Sequence, residues 1–157
     1  MNAGFAVAPL TLEDPQFRDL LTLHLAGMRR YSPACSVHAL DLTGLSGPAV
    51  TLLGAWSEGG RLAAIGALKR LASRQAEVKS MRTHPDFLRQ GAAAALLEAI
   101  IAMALDEGIH RLSLETGSGP AFEPALALYR KRGFESGDAF ADYTASTFNQ
   151  FLHLDLR

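Results

Sequence analysis

Apolar residues recur along the chain with two different periods, one typical of helices and the other typical of strands. After Asp14-Pro15, which suit the N-cap and the first position of a helix, apolar residues recur every three or four positions. This pattern predicts a helix that ends before Ser32-Pro33. An alanine-rich helix is predicted from about Arg89 to Glu107, and a shorter one over Phe122–Arg132. A glycine follows each of these two helices, as expected for a left-handed cap.

Alternating residues predict strands between and beyond these helices. The predicted strands cover residues 3–10, Val50–Ser57, Arg61–Arg70, Gln75–Thr83 and Arg111–Glu115, with a last strand that contains Phe151, His153 and Asp155. Alternation through the fourth strand would place Glu77, Lys79, Met81 and Thr83 on one side of the sheet. The segment Pro33–Pro48 is expected to be a loop with a brief helix. The order of elements predicts an α/β domain with a mixed sheet.

Composition favours one folded domain over residues 1–157. Hydrophobic residues make up 48% of the 157 positions and charged residues 20%, so a core is expected and disorder is not. No window approaches the roughly 18 apolar residues of a membrane span, and the N-terminus does not resemble a signal peptide. The expected location is therefore the cytoplasm, without membrane association.

Charge and cysteine content exclude several classes of function. Fifteen basic and sixteen acidic residues leave a formal net charge of −1, which does not favour a nucleic-acid partner. The single cysteine, Cys35, excludes an internal disulfide framework. Cys35 and His38 could supply only two ligands, and the other histidines are scattered, so no metal site is expected.

The junction between the strand Gln75–Thr83 and the alanine-rich helix is a candidate anion site. The first N–H groups of a helix lack internal partners, and the helix dipole favours an anion there. Gly91 removes a side chain where a phosphate would approach, and Ala92 and Ala93 keep the next positions small. Arg89 adds a cation and Gln90 a neutral donor. Close packing of the helix against the strands is the alternative explanation.

The segments around this junction resemble the GNAT superfamily of N-acetyltransferases, and specifically a small bacterial-type single-domain member. Family members carry the pattern Arg/Gln-x-x-Gly-x-Gly/Ala. This pattern follows a strand and a break similar to His-Pro-Asp. Here the break is His84-Pro85-Asp86 and the turn is Leu88-Arg89-Gln90-Gly91-Ala92-Ala93. The later segment Ala125–Phe134 resembles the family's Ala-x-x-Leu-Tyr-x-x-x-Gly-Phe. The resemblance implies a mixed, splayed central sheet flanked by helices on both faces.

Two positions depart from the family pattern. Leu88 stands where the pattern usually has Arg or Gln, so one polar contact is missing or moved to Arg89. Phe122 replaces an asparagine often found three residues before the motif alanine. A group from Thr116–Gly119, with Ser118 as the candidate, could replace that asparagine.

The resemblance implies acetyl-CoA as co-substrate, without a metal. Backbone groups of Met81 and Thr83 would pair with the pantetheine amides, and the turn would hold the pyrophosphate. The implied coenzyme-binding residues are Met81, Arg82, Thr83, Leu88, Arg89, Gln90, Gly91, Ala92, Ala93 and Ser118. The thioester would enter where the sheet splays between the strands ending at Thr83 and beginning at Arg111.

Two side chains are implied to be catalytic. Tyr129 occupies the family's general-acid position, where a protonated phenol can donate to the departing thiolate. Its alternative role is an amphipathic core tyrosine. Glu77 matches a strand position used for the general base, against the alternative of a solvated strand charge. Glu115 is the second candidate base.

The acceptor is expected to be a primary amine of a small molecule or peptide, attacking the acetyl group directly. Its wall would be formed by the first helix, the loop Tyr31–His38 and the segment Phe140–Tyr143. Asp142 in that segment could attract an amine, although such a residue is more often a turn cap. His38 could serve as a base, although a lone histidine is more often structural.

Other functions fit the chain less well. Thr116 and Pro120 stand where a nucleophile elbow around Ser118 requires glycine, and neither a dinucleotide-binding motif nor a P-loop is present. A catalytically silent acyl-CoA sensor on the same fold is the remaining alternative. An exposed edge on the final strand could pair in a homodimer.

Overall fold

The chain folds into a seven-stranded sheet that is antiparallel except at one junction. In the computed structural model, residues 4–31, 45 and 47–156 are described, apart from the side chains of residues 24, 25 and 27–31. The strands lie in the order β1-β2-β3-β4-β5-β7-β6. They are β1 (Ala6–Pro9), β2 (Val50–Trp56), β3 (Leu62–Arg70), β4 (Gln75–Thr83), β5 (Arg111–Thr116), β6 (Glu135–Ser136) and β7 (Gln150–Asp155). The sequence predicts all of them except β6, which is only two residues long.

Among the described residues, three helices longer than one turn flank the sheet, as the repeating apolar pattern predicts. They are α1 (Pro15–Tyr31), α2 (Ala92–Asp106) and α3 (Glu123–Arg132). Asp14 caps α1, because its Oδ1 accepts hydrogen bonds from the backbone N–H groups of Gln16 and Phe17 at 2.8 and 3.3 Å. α2 begins three residues later than predicted. Arg89 and Gly91 adopt positive φ values of 62° and 93°, which a continuous right-handed helix does not allow.

The helices cover opposite faces of the sheet. Phe17, Leu20 and Leu21 of α1 pack with Ile65 and Ala67 in one apolar cluster. α2 and α3 pack on the other face in a larger cluster, which includes Ala64, Leu68, Val78, Leu96, Ile100, Leu114, Leu126 and Tyr129. The predicted sheet with helices on both faces is therefore confirmed. The segment Pro33–Pro48, predicted as a loop with a brief helix, lies largely outside the described residues.

A bulge in β4 changes which side chains share a face. The β3–β4 register shifts between Ile65 and Ala67, and Ser80 adopts a φ of 58°. Glu77 and Lys79 remain on the α1 face, but Met81 contacts Gly66 beside Leu96 on the α2 face. The simple alternation that placed Met81 with Lys79 is therefore wrong, because the extra residue reverses the direction of the side chains that follow it.

β4 and β5 form the parallel junction of the sheet and separate after a short contact. Their paired residues are Gln75–Arg111, Ala76–Leu112 and Glu77–Ser113. Beyond Glu77, β4 continues along β3 while β5 continues along β7. We call the space between Val78–Thr83 and Leu114–Thr116 the fork.

β7 is an interior strand, which contradicts the edge expected from the sequence. It pairs with β5 along its whole length and with β6 at Leu152 and His153. The two-residue β6 had no recognisable sequence pattern, so its cover over β7 was not predicted. The expected exposed edge on the final strand is therefore wrong, and the homodimer stays a prediction without that support.

Gly117, at the end of β5, should be intolerant of a side chain. A Cβ there would overlap the rings of Phe122 and Phe148, which already contact each other at a centroid distance of 5.4 Å. Replacing Gly117 with alanine should lower the free energy of unfolding by about 1–3 kcal/mol, because neither ring can move freely. Urea unfolding would measure this. Gly59→Ala is the control, since its Cβ would meet only Ser57 Oγ at 3.9 Å. Equal stability of the two variants would contradict the prediction.

Candidate functional site

The turn between β4 and α2 is held in shape by side chains of the break and the turn, together with Arg61 of the preceding β2–β3 turn. His84 Nδ1 accepts a hydrogen bond from the backbone N–H of Asp86 at 3.1 Å. The Asp86 carboxylate pairs with Arg61 at 2.7 Å, and this guanidinium lies 4.9 Å from the centre of the Phe87 ring. Gln90 Nε2 donates to the backbone oxygen of Asp86 at 3.2 Å. These contacts fix the direction in which α2 begins.

The N-terminus of α2 is open. The N–H groups of the first helical turn have no intrahelical acceptor, and among the described residues no other carbonyl accepts from Gly91, Ala92 or Ala93. A Cβ built on Gly91 would meet nothing within 4 Å. The φ of 93° at Gly91 favours glycine. The turn therefore presents several backbone donors to one exposed space.

The other residues of the turn lie at its surface. The Leu88 side chain is 57% exposed, and Arg89 and Gln90 are also exposed. Arg89 has a φ of 62°, a conformation that is uncommon for a residue with a side chain. The side chains of Leu88 and Arg89 are free to meet a ligand, whereas Gln90 is engaged with Asp86.

The fork is lined by polar atoms without partners. Met81 points to the α2 core and Thr83 pairs with Ala64 of β3. Ser80 Oγ and Arg82 Nε are buried, and neither has a hydrogen-bond partner among the described residues. Because buried polar groups are nearly always satisfied in folded proteins, these two atoms mark the part of β4 that borders the fork as a candidate binding surface.

Ser118 is already engaged within the protein. Its hydroxyl donates to the backbone oxygen of Phe148 at 2.7 Å and accepts from Gln150 Nε2 at 3.0 Å. Gln150 Nε2 also donates to the oxygen of Gly117. Ser118 thus helps to hold the chain before β7, and its contact with a coenzyme stays a prediction.

Tyr129 lies in the core that α2 and α3 form on their face of the sheet. It is 6% exposed and its ring contacts Phe134 edge-on at a centroid distance of 5.7 Å. Its hydroxyl makes no hydrogen bond to another described residue. Burial raises the pKa of the Tyr129 phenol well above its usual value, so the phenol is protonated at neutral pH.

Glu77 is buried and paired rather than solvated. Its side chain is 3% exposed, and Oε2 accepts a hydrogen bond from the Tyr143 hydroxyl at 2.5 Å. The same oxygen lies 3.3 Å from Lys79 Nζ, which also donates to the Tyr143 oxygen at 2.6 Å. Glu77 stands at the last β4–β5 pair and thus at the base of the fork.

Glu115 is the less constrained carboxylate at the fork. It is half-buried near the end of β5, and no described residue donates a hydrogen bond to it. Burial raises the pKa of Glu115 to about 7, an effect that the nearby Lys79 opposes and Glu77 strengthens. A carboxyl group with this pKa exchanges its proton readily near neutral pH.

Lys79 and Tyr143 were not predicted as partners of Glu77. Lys79 was visible only as one polar residue in an alternating strand. Tyr143 was expected to line the acceptor site. Its contact with Glu77 joins residues that are 66 positions apart, so no local pattern predicts it. An alternating strand that carries Glu and Lys two positions apart does place both on one face, and this signal could have identified Lys79.

The segment that carries Tyr143 covers the α1 face of β5 and β7. The Phe140 ring contacts Tyr143 and Phe151 at centroid distances of 5.1 and 5.9 Å. Asp142 is exposed and belongs to the same segment. The loop Tyr31–His38, predicted to complete this wall, lies outside the described residues, apart from the backbone of Tyr31.

The described part of the chain contains neither a candidate metal site nor a candidate membrane-spanning helix. No three His, Cys, Asp or Glu side chains there come together in a group that could hold a metal ion. No helix within the same residues has both the length and the apolar character of a membrane span. Cys35 and His38 are outside these residues.

Comparisons with known proteins agree with this geometry. Residues 17–134 match the family model described as the acetyltransferase (GNAT) family. The chain is 43% identical over 152 residues to the uncharacterized N-acetyltransferase YedL of Escherichia coli K12, covering 97% of this chain and 95% of the relative. It is 49% identical over 137 residues to the uncharacterized N-acetyltransferase YsnE of Bacillus subtilis 168, covering 87% and 90%.

A solved structure shares the whole architecture. A Klebsiella pneumoniae protein, provisionally named an acyl-CoA N-acyltransferase, superposes with a TM-score of 0.85 at 27% identity. The match covers 99% of this chain and all of the other. Together with the family model and the two relatives, this similarity establishes that the chain belongs to the GNAT family of acetyltransferases.

Proposed function

We propose that the protein transfers an acetyl group from acetyl-CoA to a primary amine of a small molecule or peptide by direct attack. One observation carries the proposal: the open N-terminus of α2 lies directly after the strand whose free edge lines the fork. A coenzyme with a diphosphate and an amide-containing arm needs both features in that order. The acyl-CoA named for the Klebsiella relative supports the same donor.

The backbone supplies most of the coenzyme contacts in this proposal. The amides of Arg89 to Ala93 bind the diphosphate, because no backbone carbonyl of the described residues accepts from them and the helix dipole favours an anion. Backbone groups of β4 around Met81, Arg82 and Thr83 pair with the pantetheine amides, as one strand pairs with another. The exposed Leu88 contributes no charge to this site.

Of the two carboxylates, Glu115 is better suited to be the general base. An oxygen that already accepts hydrogen bonds must lose them before it can accept a proton. Oε2 of Glu77 already receives a short hydrogen bond and an ion pair. Glu115 has no donor among the described residues, and its pKa of about 7 matches the working pH. The proposal therefore reverses the preference for Glu77 that the sequence suggested.

The proposed chemical step is balanced by two proton transfers. The neutral amine attacks the thioester carbonyl, so that a C–N bond forms and the C–S bond breaks. Glu115 takes the proton that the amine loses, directly or through one water molecule. Tyr129 donates its phenolic proton to the departing thiolate. The Tyr129 phenol is protonated at neutral pH and therefore has a proton to donate.

A negative charge at Gly91 should weaken coenzyme binding. Gly91→Glu places a carboxylate where the diphosphate approaches, so the Kd for acetyl-CoA should rise at least about tenfold, equivalent to ~1.4 kcal/mol. Titration calorimetry would measure it. Gly108→Glu is a matched control, because Gly108 follows the other end of α2, also has a positive φ and is equally open. Equal affinity in the two variants would overturn the assigned coenzyme site.

Removal of the Tyr129 hydroxyl should slow turnover without affecting coenzyme binding. Tyr129→Phe keeps the packing against Phe134 but removes the proton donor, so kcat should fall about 100-fold or more. Release of free thiol from acetyl-CoA, followed with a panel of primary amines, would measure turnover. An unchanged kcat would remove Tyr129 from the mechanism. Coenzyme binding without turnover of any amine in the wild-type protein would favour the silent sensor.

The rate should depend on pH through Glu115. Because a base acts only when ionised, kcat/KM calculated for the neutral form of the amine should rise with pH through about 7. Glu115→Gln should abolish this rise and reduce kcat/KM by about 100-fold or more. Glu135→Gln, at an exposed position in β6, is the control for loss of a carboxylate. A rise that survived in Glu115→Gln and vanished in Glu77→Gln would assign the base to Glu77.

A further inference from the structure

Resting on the proposed function, in which Glu115 takes the amine proton, we propose that Lys79, Tyr143 and Glu77 form a positioning unit. This unit fixes the segment of residues 137–149, which connects β6 to β7, over the α1 face of the fork. It also leaves Glu115 as the carboxylate that faces the acceptor amine. None of the three residues needs to touch the reacting atoms.

The contacts within the unit satisfy one another. Lys79 Nζ donates to the Tyr143 oxygen at 2.6 Å, and the Tyr143 hydroxyl donates to Glu77 Oε2 at 2.5 Å. Lys79 Nζ also lies 3.3 Å from that carboxylate oxygen. The Lys79 and Glu77 side chains are only 8% and 3% exposed. Buried charges of this kind are held in place because separating them would leave each without compensation.

The unit is one of several attachments that hold residues 137–149 in place. Another is His153, whose Nε2 lies 2.8 Å from the backbone oxygen of Asp138. Its Nδ1 lies 2.7 Å from Ser113 Oγ on β5. The ring of Phe140 packs over His153 and Phe151 between these first two attachments. Ser118 holds the end of the segment through the backbone oxygen of Phe148. The start and the middle of the segment are therefore tied to the strands that border the fork.

The charges of the unit cancel, and this isolates Glu115. Glu77 and Lys79 contribute opposite unit charges, while the Tyr143 phenol stays neutral because burial and the hydrogen bond to Glu77 raise its pKa. Ionised Glu115 then carries the negative charge that remains in the group. An alkylammonium acceptor is attracted to a single uncompensated carboxylate.

The groups that face Glu115 come from three elements among the described residues. Glu77 and Lys79 lie on β4, Tyr143 lies on the covering segment, and His153 lies on β7 one pair further along the same face. Lys79 favours the ionised form of Glu115, whereas Glu77 disfavours it. Substitutions of these two residues should therefore move the titration of Glu115 in opposite directions.

Carboxyl NMR of protein with labelled glutamate tests how Glu77 and Lys79 change the titration of Glu115. This measurement needs no acceptor. The Glu115 resonance is identified by its loss in Glu115→Gln. Glu77→Gln should lower the Glu115 midpoint by about one pH unit, because the neighbouring anion is removed. Adding Lys79→Met to Glu77→Gln should raise it again by a similar amount. The exposed Glu135→Gln is the control and should leave it unchanged.

Amide hydrogen exchange tests whether the positioning unit holds residues 137–149 in place. Tyr143→Phe removes only the hydroxyl, so protected amides within residues 137–149 should exchange about tenfold faster or more, while those of α2 keep their rates. Glu77→Gln retains an oxygen that accepts from Tyr143, so its segment should exchange more slowly than that of Tyr143→Phe.

The outcomes separate this inference from the proposed function. If the Glu115 midpoint and the exchange rates respond as described but no amine is acetylated, the positioning unit stands and the proposed function fails. If Glu115→Gln abolishes acetyl transfer while the midpoint ignores Glu77→Gln and Lys79→Met, the unit is overturned. Unchanged exchange in Tyr143→Phe would likewise overturn the attachment of the segment.

Discussion

The bulge at Ser80 is the constraint on which the rest of the site depends. A bulge bends its strand and increases the local twist, and this one comes three residues after the last β4–β5 pair. It directs Met81 into the α2 core and Arg82 toward the α1 face. The buried polar atoms without partners belong to Ser80 and Arg82. Among the described residues, the buried polar atoms without partners therefore lie on the part of β4 that borders the fork, and α2 follows this strand along the chain.

Alternation along β4 and β5 divides two tasks between the faces of the sheet. Val78, Leu112 and Leu114 pack with α2 and α3, and this packing fixes the helix whose N-terminus is open. Glu77 and Glu115 point to the other face, where the segment of residues 137–149 lies. The same two strands thus support the helix of the proposed anion site on one side and titratable side chains on the other.

Local patterns account for the parts that the sequence predicted. Periodicity and capping gave the helices and all strands except β6, and small residues at the start of α2 indicated the open turn at which an anion site is proposed. The bulge was not predicted, because Ser80 has no property that distinguishes it from any polar strand residue. The Tyr143–Glu77 contact was not predicted either, since it depends on the path of the chain between β6 and β7. The residues that define the charge of the site are therefore the ones that local patterns describe least.

The two halves of the site should differ in their tolerance of substitution. Contacts made by backbone amides persist when a side chain changes, which is why Leu88 can replace a polar residue without closing the turn around Gly91. The proposed reaction with the acceptor tolerates substitution less well, because it depends on individual side chains. Exchanging Lys79 for a neutral residue would leave Glu77 buried without its cation and would raise the cost of ionising Glu115 beside it. Variation in Lys79, Tyr143 and Glu115 would thus change the acceptor side while the coenzyme side stays the same.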